Sequence, residues 1–275
     1  MFKKNFLALF LLLFIIQLAT AKNIVCTTYP VWLLTRSVTG GIKSANLSVL
    51  MPATQSCAHD YSPSAKDLQK IARNGTILIA NGLGLDDHIV KAALRVNRSL
   101  TVITAGDAVH AKDMHSFIAP DTAAFMTKAI ADKLGEIDQA NRKIYQKNAD
   151  NLCEKLNALR IRRRQLPDMV VLQTPLWINL AKFAGVKYIV VKNAHSAILN
   201  STSLKKLLQT VKQNNISTLW QEADSPDPAI KMLKKSAILR TVELDTLQTG
   251  PQNPAADYLV QVMQSNLEKI AGKQK

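Results

Sequence analysis

Cysteine is scarce in this 275-residue sequence, and its three copies carry no metal-type spacing. Cys26, Cys57 and Cys153 stand far apart, and an odd count leaves at least one thiol unpaired. No structural disulfide framework is expected. Cys26 reads as a strand residue and Cys153 as a helix-core residue. No Walker loop, Ser-His-acid pattern or G-x-G-x-x-G turn is present; NGLGL at 81–85 has glycines at a strand end but not that spacing. Aromatics make up only 5% of residues and do not interleave with the basic ones. Acids are also in short supply, 20 against 35 Lys and Arg, for a net charge of +15. Such an excess raises nucleic acid as a partner, but the basic residues are spread over many helices and the chain reads as exported. No nucleic acid is expected. The one dense cluster, Arg160 with Arg162, Arg163 and Arg164, falls at a helix end, where positive charge suits the helix dipole. Attraction to an anionic membrane surface or an acidic partner is an alternative to a merely solvated basic surface.

A membrane-spanning run is missing too. The apolar stretch FLALFLLLFII, residues 6–16, falls short of the roughly 20 residues a bilayer needs. Lys3 and Lys4 precede it and Ala19-Thr20-Ala21 follows, the pattern of a signal peptide over 1–21, cleaved after about Ala21. Without the two leader lysines the +15 becomes +13. Asn23-Ile24-Val25 before Cys26 are not the small residues of a lipoprotein processing site.

What is present is an alternation of short apolar runs and amphipathic stretches. The runs are 24–28, 47–51, 76–80 and 100–104, then 169–172, 187–191, 217–220 and 241–245. Continuous apolar strands separated by helices indicate parallel sheets covered on both faces. The reading is α/β: an N-terminal lobe over 22–138, a long linking helix over 139–166 and a C-terminal lobe over 167–275. Residues 139–165 hold no Gly or Pro, and Tyr145, Ala149, Leu152, Leu156 and Leu159 mark one helical face. A helix of that length would run roughly 40 Å and act as a strut between the lobes, with Pro167 as its stop. An ordinary core helix fits the same pattern.

Ligands of open parallel sheets bind beyond the carboxyl ends of the strands. His59 follows the second run, with Ser62-Pro63, or Ser64 with Asp67 three residues on, signalling a helix start. His110 and His115 follow the fourth, before a helix starting near Asp121. Gln173 ends the first strand of the second lobe, and Asp245 ends the last. Two imidazoles and a carboxylate suit a divalent transition metal if the lobes face each other. Each residue also has an ordinary reading, as a surface histidine, a helix cap or a backbone-satisfying amide.

Several segments together resemble the metal-specific solute-binding proteins of bacterial ABC importers for zinc or manganese. They are VLMPATQSCAHDYSPSAKDLQKIA, ILIANGLGLDDHI, DMHSFIAPDTAAFMTKAIADKL, VVLQTPLWINLAKFAGV, VELDTL and YLVQVMQSNLEKI, in that order over essentially the whole mature chain. The resemblance implies two pseudo-symmetric α/β lobes bridged by one long helix, with the metal in the cleft. It carries His59, His115 and Asp245 over as ligands. Gln173 stands where the family places a histidine or glutamate. An amide oxygen brings no charge and is a weaker donor. Either Gln173 is a weak ligand, or His195 replaces it, or the site has lost its metal. The His-rich acidic loop of many zinc-specific members is absent, since 105–114 offers only His110. Cys57 is an outside candidate ligand; His88 and His110 read as surface. The expected role is a monomeric, periplasmic, non-enzymatic receptor that passes Zn²⁺ or Mn²⁺ to an ABC permease and its ATPase. The alternatives are a degenerate site on a surface or adhesion protein, and a metallohydrolase with Asp60 as its nearest acid.

Overall fold

A computed structural model describes residues 22–55, 57–73, 76–109, 113–191, 201–223 and 227–272. The first lobe holds β1 (Lys22–Cys26), β2 (Ala45–Val49), β3 (Thr76–Ala80) and β4 (Thr101–Thr104), paired in parallel in the order β2-β1-β3-β4. The second holds β5 (Met169–Leu172), β6 (Lys187–Val190), β7 (Thr218–Glu222) and β8 (Arg240–Leu244), in the matching order β6-β5-β7-β8. All eight apolar runs became strands, shifted by no more than two residues at either end. β3 shows why: all five residues of TILIA are buried, as expected where helices cover both faces.

Helix α1 (Tyr29–Thr39) leaves β1 through Pro30, whose fixed φ suits a first turn. α2 (Ala65–Ile71) starts at Ser64 with the anticipated capping box to Asp67. α3 (Asp87–Val96) follows the glycine loop. α4 (Pro120–Ile137) begins with Pro120 and Asp121, and α5 (Arg142–Ala158) buries Tyr145, Ala149, Leu152, Cys153 and Leu156. The second lobe adds α6 (Ile178–Phe183), α7 (Ser201–Gln213), α8 (Pro228–Ser236) and α9 (Tyr258–Ile270).

The linking helix is shorter than its sequence pattern predicts. A 3-10 turn covers Gln139–Asn141, and α5 ends at Ala158, with Leu159 extended at φ −65° and ψ 126°. Arg160, Arg163 and Arg164 would repel one another at helical spacing. Outside the helix, the Arg163 guanidinium instead donates to the carbonyls of Gly185, Leu166 and Pro167 and to the Asp168 carboxylate. Pro167 is therefore not the stop. α5 packs mainly on α4 and α1 of the first lobe. From Asn148 onward, it shares two surface grooves with α9 of the second lobe.

One hydrophobic core runs through both lobes. It joins Ile24, Leu34, Leu78, Ile130 and Leu156 to Leu166, Leu172, Trp177, Trp220, Leu244 and Met263. A separate, smaller cluster of Val171, Leu204, Val211, Leu219, Ile230 and Leu233 lies between the second sheet and α7 and α8.

Candidate metal site between the lobes

In each sheet the strand order turns back between the first and third strands, and ligands of such sheets bind at that switch point. The strand ends of the two lobes meet. Gly250 N donates to Ala53 O at 3.0 Å, the Tyr29 hydroxyl to Pro251 O at 2.8 Å, and Asn179 Nδ2 to Ser116 Oγ at 3.4 Å.

His59 lies exposed in the loop after β2, on a fixed footing. The Tyr61 hydroxyl bonds Leu50 O at 3.1 Å and Asp67 Oδ2 at 2.8 Å, and Asp67 also takes the amide and hydroxyl of Ser64. His88, exposed as expected, holds the same loop through its Nε2, 2.9 Å from Tyr61 O. Burial and the charge of His115 push the His59 pKa down. The two imidazoles are thus within electrostatic reach.

His115 is 2% exposed. Its amide donates to Asp113 Oδ1 at 2.8 Å, and its Nδ1 lies 3.5 Å from the same oxygen. Phe117 meets its ring edge-on, and Asn81 Nδ2 holds the preceding carbonyl of Met114 at 2.8 Å. Asn81 belongs to the NGLGL turn, which is a scaffold for this loop. Buried Asp86 receives the amides of Asn81 and Gly82 at 2.7 and 2.8 Å, together with the Thr27 hydroxyl. Gly82 sits at φ +77°, and a Cβ there would lie 2.1 Å from Thr104 Cγ2.

Gln173 is 3% exposed and tied into the sheet end. Its amide donates to Trp220 O at 2.9 Å, and its Oε1 accepts the Glu222 amide at 2.8 Å. Asp245 is half-buried; its Oδ1 accepts the Leu247 amide at 2.8 Å. Asn266 clamps its backbone from both sides, at 2.9 and 2.8 Å. The negative charge of Asp245 helps push up the hydroxyl pKa of Tyr29 and Tyr258, after burial as the larger cause.

Glu222, the last residue of β7, was not anticipated as part of the site. Burial pushes its carboxyl pKa up, and the charge of His115, in the first lobe, pulls it down. The apolar run ends at Trp220, and Gln221-Glu222 reads as loop; only the pairing with β8 carries the strand on.

The remaining candidates separate cleanly. Burial pushes the Cys57 thiol up, which disfavours the thiolate a metal needs, and Asp60 hydrogen-bonds it. Cys26 is fully buried in β1 with its thiol raised to about 12, which makes it a core residue. None of the three cysteines forms a disulfide. His110 and His195 fall outside the described residues. Among the described residues no three His, Cys, Asp or Glu side chains stand close enough to hold a metal as they are. The charge of His115 acts on both His59 and Glu222, and that of Asp245 acts on Tyr29 and Tyr258.

The family model described as ZnuA, zinc-uptake complex component A, periplasmic, matches residues 24–273. The chain belongs to this family. Among curated relatives, the zinc-binding lipoprotein AdcA of Streptococcus pneumoniae is 26% identical over 278 residues, covering 90% of this chain. This chain spans only 55% of AdcA's length. Among solved structures, the solute-binding protein FpvC of Pseudomonas aeruginosa with Ni²⁺ has a TM-score of 0.79 at 23% identity, covering 92% of this chain and 96% of that one. FpvC has also been solved with Mn²⁺, again at a TM-score of 0.79. The laminin-binding adhesin Lmb of Streptococcus agalactiae scores 0.76 at 19% identity, covering 92% and 99% of the two chains. These structures share the two-lobe fold.

Proposed function

We propose that the chain is an exported receptor that captures a divalent transition metal, Zn²⁺ or Mn²⁺, between its lobes and delivers it to an ABC permease and its ATPase. The signal peptide, cleaved after about Ala21, would release a periplasmic monomer with no enzymatic activity and no nucleic-acid partner. His59, His115 and Asp245 are the proposed ligands, with Gln173 or His195 as the fourth group.

The observation that carries this reading is His115: a buried imidazole at the lobe junction, within electrostatic reach of His59 in its own lobe and Glu222 in the other. The donor chemistry fits the ion. Neutral imidazole and ionised carboxylate are the ligands that zinc and manganese take from proteins. Asp113 Oδ1 stands 3.5 Å from His115 Nδ1, and a carboxylate behind the imidazole is the usual company of a ligating histidine. His59 is exposed and would have to move inward on binding.

Calorimetric titration of the metal-stripped mature protein with Zn²⁺ and Mn²⁺ tests the reading. Saturable one-to-one binding, abolished by His115→Ala, is expected. A folded protein that binds neither ion would sink it, leaving the adhesion role as the reading to pursue.

A further inference from the structure

The two strands that flank the switch point of the second sheet are β5 and β7. Gln173 follows β5 directly, and Glu222 ends β7. Only one of the two brings charge to the crevice. The Gln173 side-chain oxygen accepts the Glu222 backbone N–H at 2.8 Å, while the Gln173 backbone N–H donates to Trp220 O at 2.9 Å. Its side chain therefore laces β5 to β7. The Glu222 carboxylate is half-buried, and among the described residues it makes no hydrogen bond or ion pair. Register pairs Glu222, the last residue of β7, with Leu244, the last of β8, and Asp245 is the first residue beyond β8, so both acids stand at the same end of the sheet. The charge of His115, in the other lobe, acts on the Glu222 carboxyl.

We infer that Glu222 is a metal ligand of the second lobe beside Asp245, and that Gln173 acts by positioning Glu222 and not by coordinating. The inference rests on the metal-capture reading above. A carboxylate taken partly out of water without a cation is costly, and it persists where something compensates it. A divalent ion does so here. With Asp245 alone, a captured M²⁺ would leave one uncompensated positive charge between the lobes; with Glu222 as well, two carboxylates neutralise it. The resulting set of two imidazoles and two carboxylates is richer in oxygen than a three-histidine site. It suits Mn²⁺ as well as Zn²⁺ and discriminates between them less by ligand softness. The charge missing at position 173 is thus supplied from the next strand.

The Gln173 bond goes to the backbone of residue 222, so Glu222→Gln removes the charge and leaves the lacing intact. Zn²⁺ and Mn²⁺ titrations of the mature wild-type protein, Glu222→Gln and Gln173→Ala are run beside melts of the metal-free proteins. Glu222→Gln is expected to weaken Mn²⁺ by roughly 100-fold or more, with a smaller loss for Zn²⁺ and an unchanged or higher metal-free Tm. Gln173→Ala, as a loss behind the ligand, is expected to weaken both by about 10–100-fold and to lower the metal-free Tm. Wild-type affinity for both ions in Glu222→Gln would overturn the inference while leaving metal capture standing. So would a fall in its metal-free Tm that matches the lost affinity, which would make Glu222 a strand-stability residue. If the folded wild type binds neither ion, metal capture fails and the inference fails with it.

Discussion

Gln173 shows how one side chain can trade a ligand's task for a mason's. Its Oε1 holds the Glu222 amide at the end of β7, beyond the last residue that pairs with β5. Gln173→His would bring an imidazole to the crevice but would not restore that acceptor in the same place. The expected outcome is tighter Zn²⁺ binding together with a metal-free protein destabilised by about 1–2 kcal/mol, the cost of a buried N–H left without its partner. Urea unfolding of the two metal-free proteins measures it; equal midpoints would mean that water or the imidazole replaces the bond. Glu222 is the converse case. Burial raises its pKa in the folded state, so its contribution to stability is full below the unfolded value and is lost as pH rises through the folded one. Glu222→Gln should remove that loss, and metal-free wild type and variant should diverge in stability as pH rises above the ordinary glutamate value. Parallel Tm-against-pH curves for the two proteins would contradict this.

At the level of elements, the loop bearing His59 depends on the start of α2. Burial alone would raise the Asp67 carboxyl, but the Ser64 hydroxyl and amide, the Tyr61 hydroxyl and Lys70 bring it down to about 2. Its stabilisation is present above the ordinary value of 3.8 and is lost as pH falls through about 2. Asp67→Asn should therefore lose stability at neutral pH, by less than the full shift because solvent screens the group, and its deficit should close between pH 4 and 2. It should also weaken metal binding, because Tyr61 anchors the turn two residues after His59. A deficit that persists unchanged at pH 2 would place the effect elsewhere. The capping box was legible from Ser64 and Asp67 alone, as the strands were from their unbroken apolar runs. The end of α5 was not. Leu159 keeps the helical spacing and no Gly or Pro interrupts, while the partners that draw Arg163 out of a helix lie in another lobe. Glu222 was illegible for a similar reason: its strand continues only because β8 pairs with it. The approach of strand ends from both lobes was inferable from topology, but the electrostatic link between Glu222 and His115 was not.

Across the whole molecule, the continuous core ties Leu156 and Leu166 to both sheets and leaves no apolar seam between the lobes. Opening the lobes widely would expose that core. Heating should give a single calorimetric transition, and two resolved peaks would show that the lobes melt apart. X-ray scattering should find the radius of gyration changed by less than about 1 Å on metal binding, against roughly 18 Å expected for a compact chain of this size. A larger compaction would require a hinge that cuts through the core. The second, detached cluster under α7 and α8 has a different consequence. Amides of these two helices need only a local opening to meet deuterium, whereas those of α4 and β3 must wait for the molecule to come apart. Exchange will accordingly draw a line along the outer face of the second sheet, with a quickly labelled rind on one side and a slow interior shared by both lobes on the other.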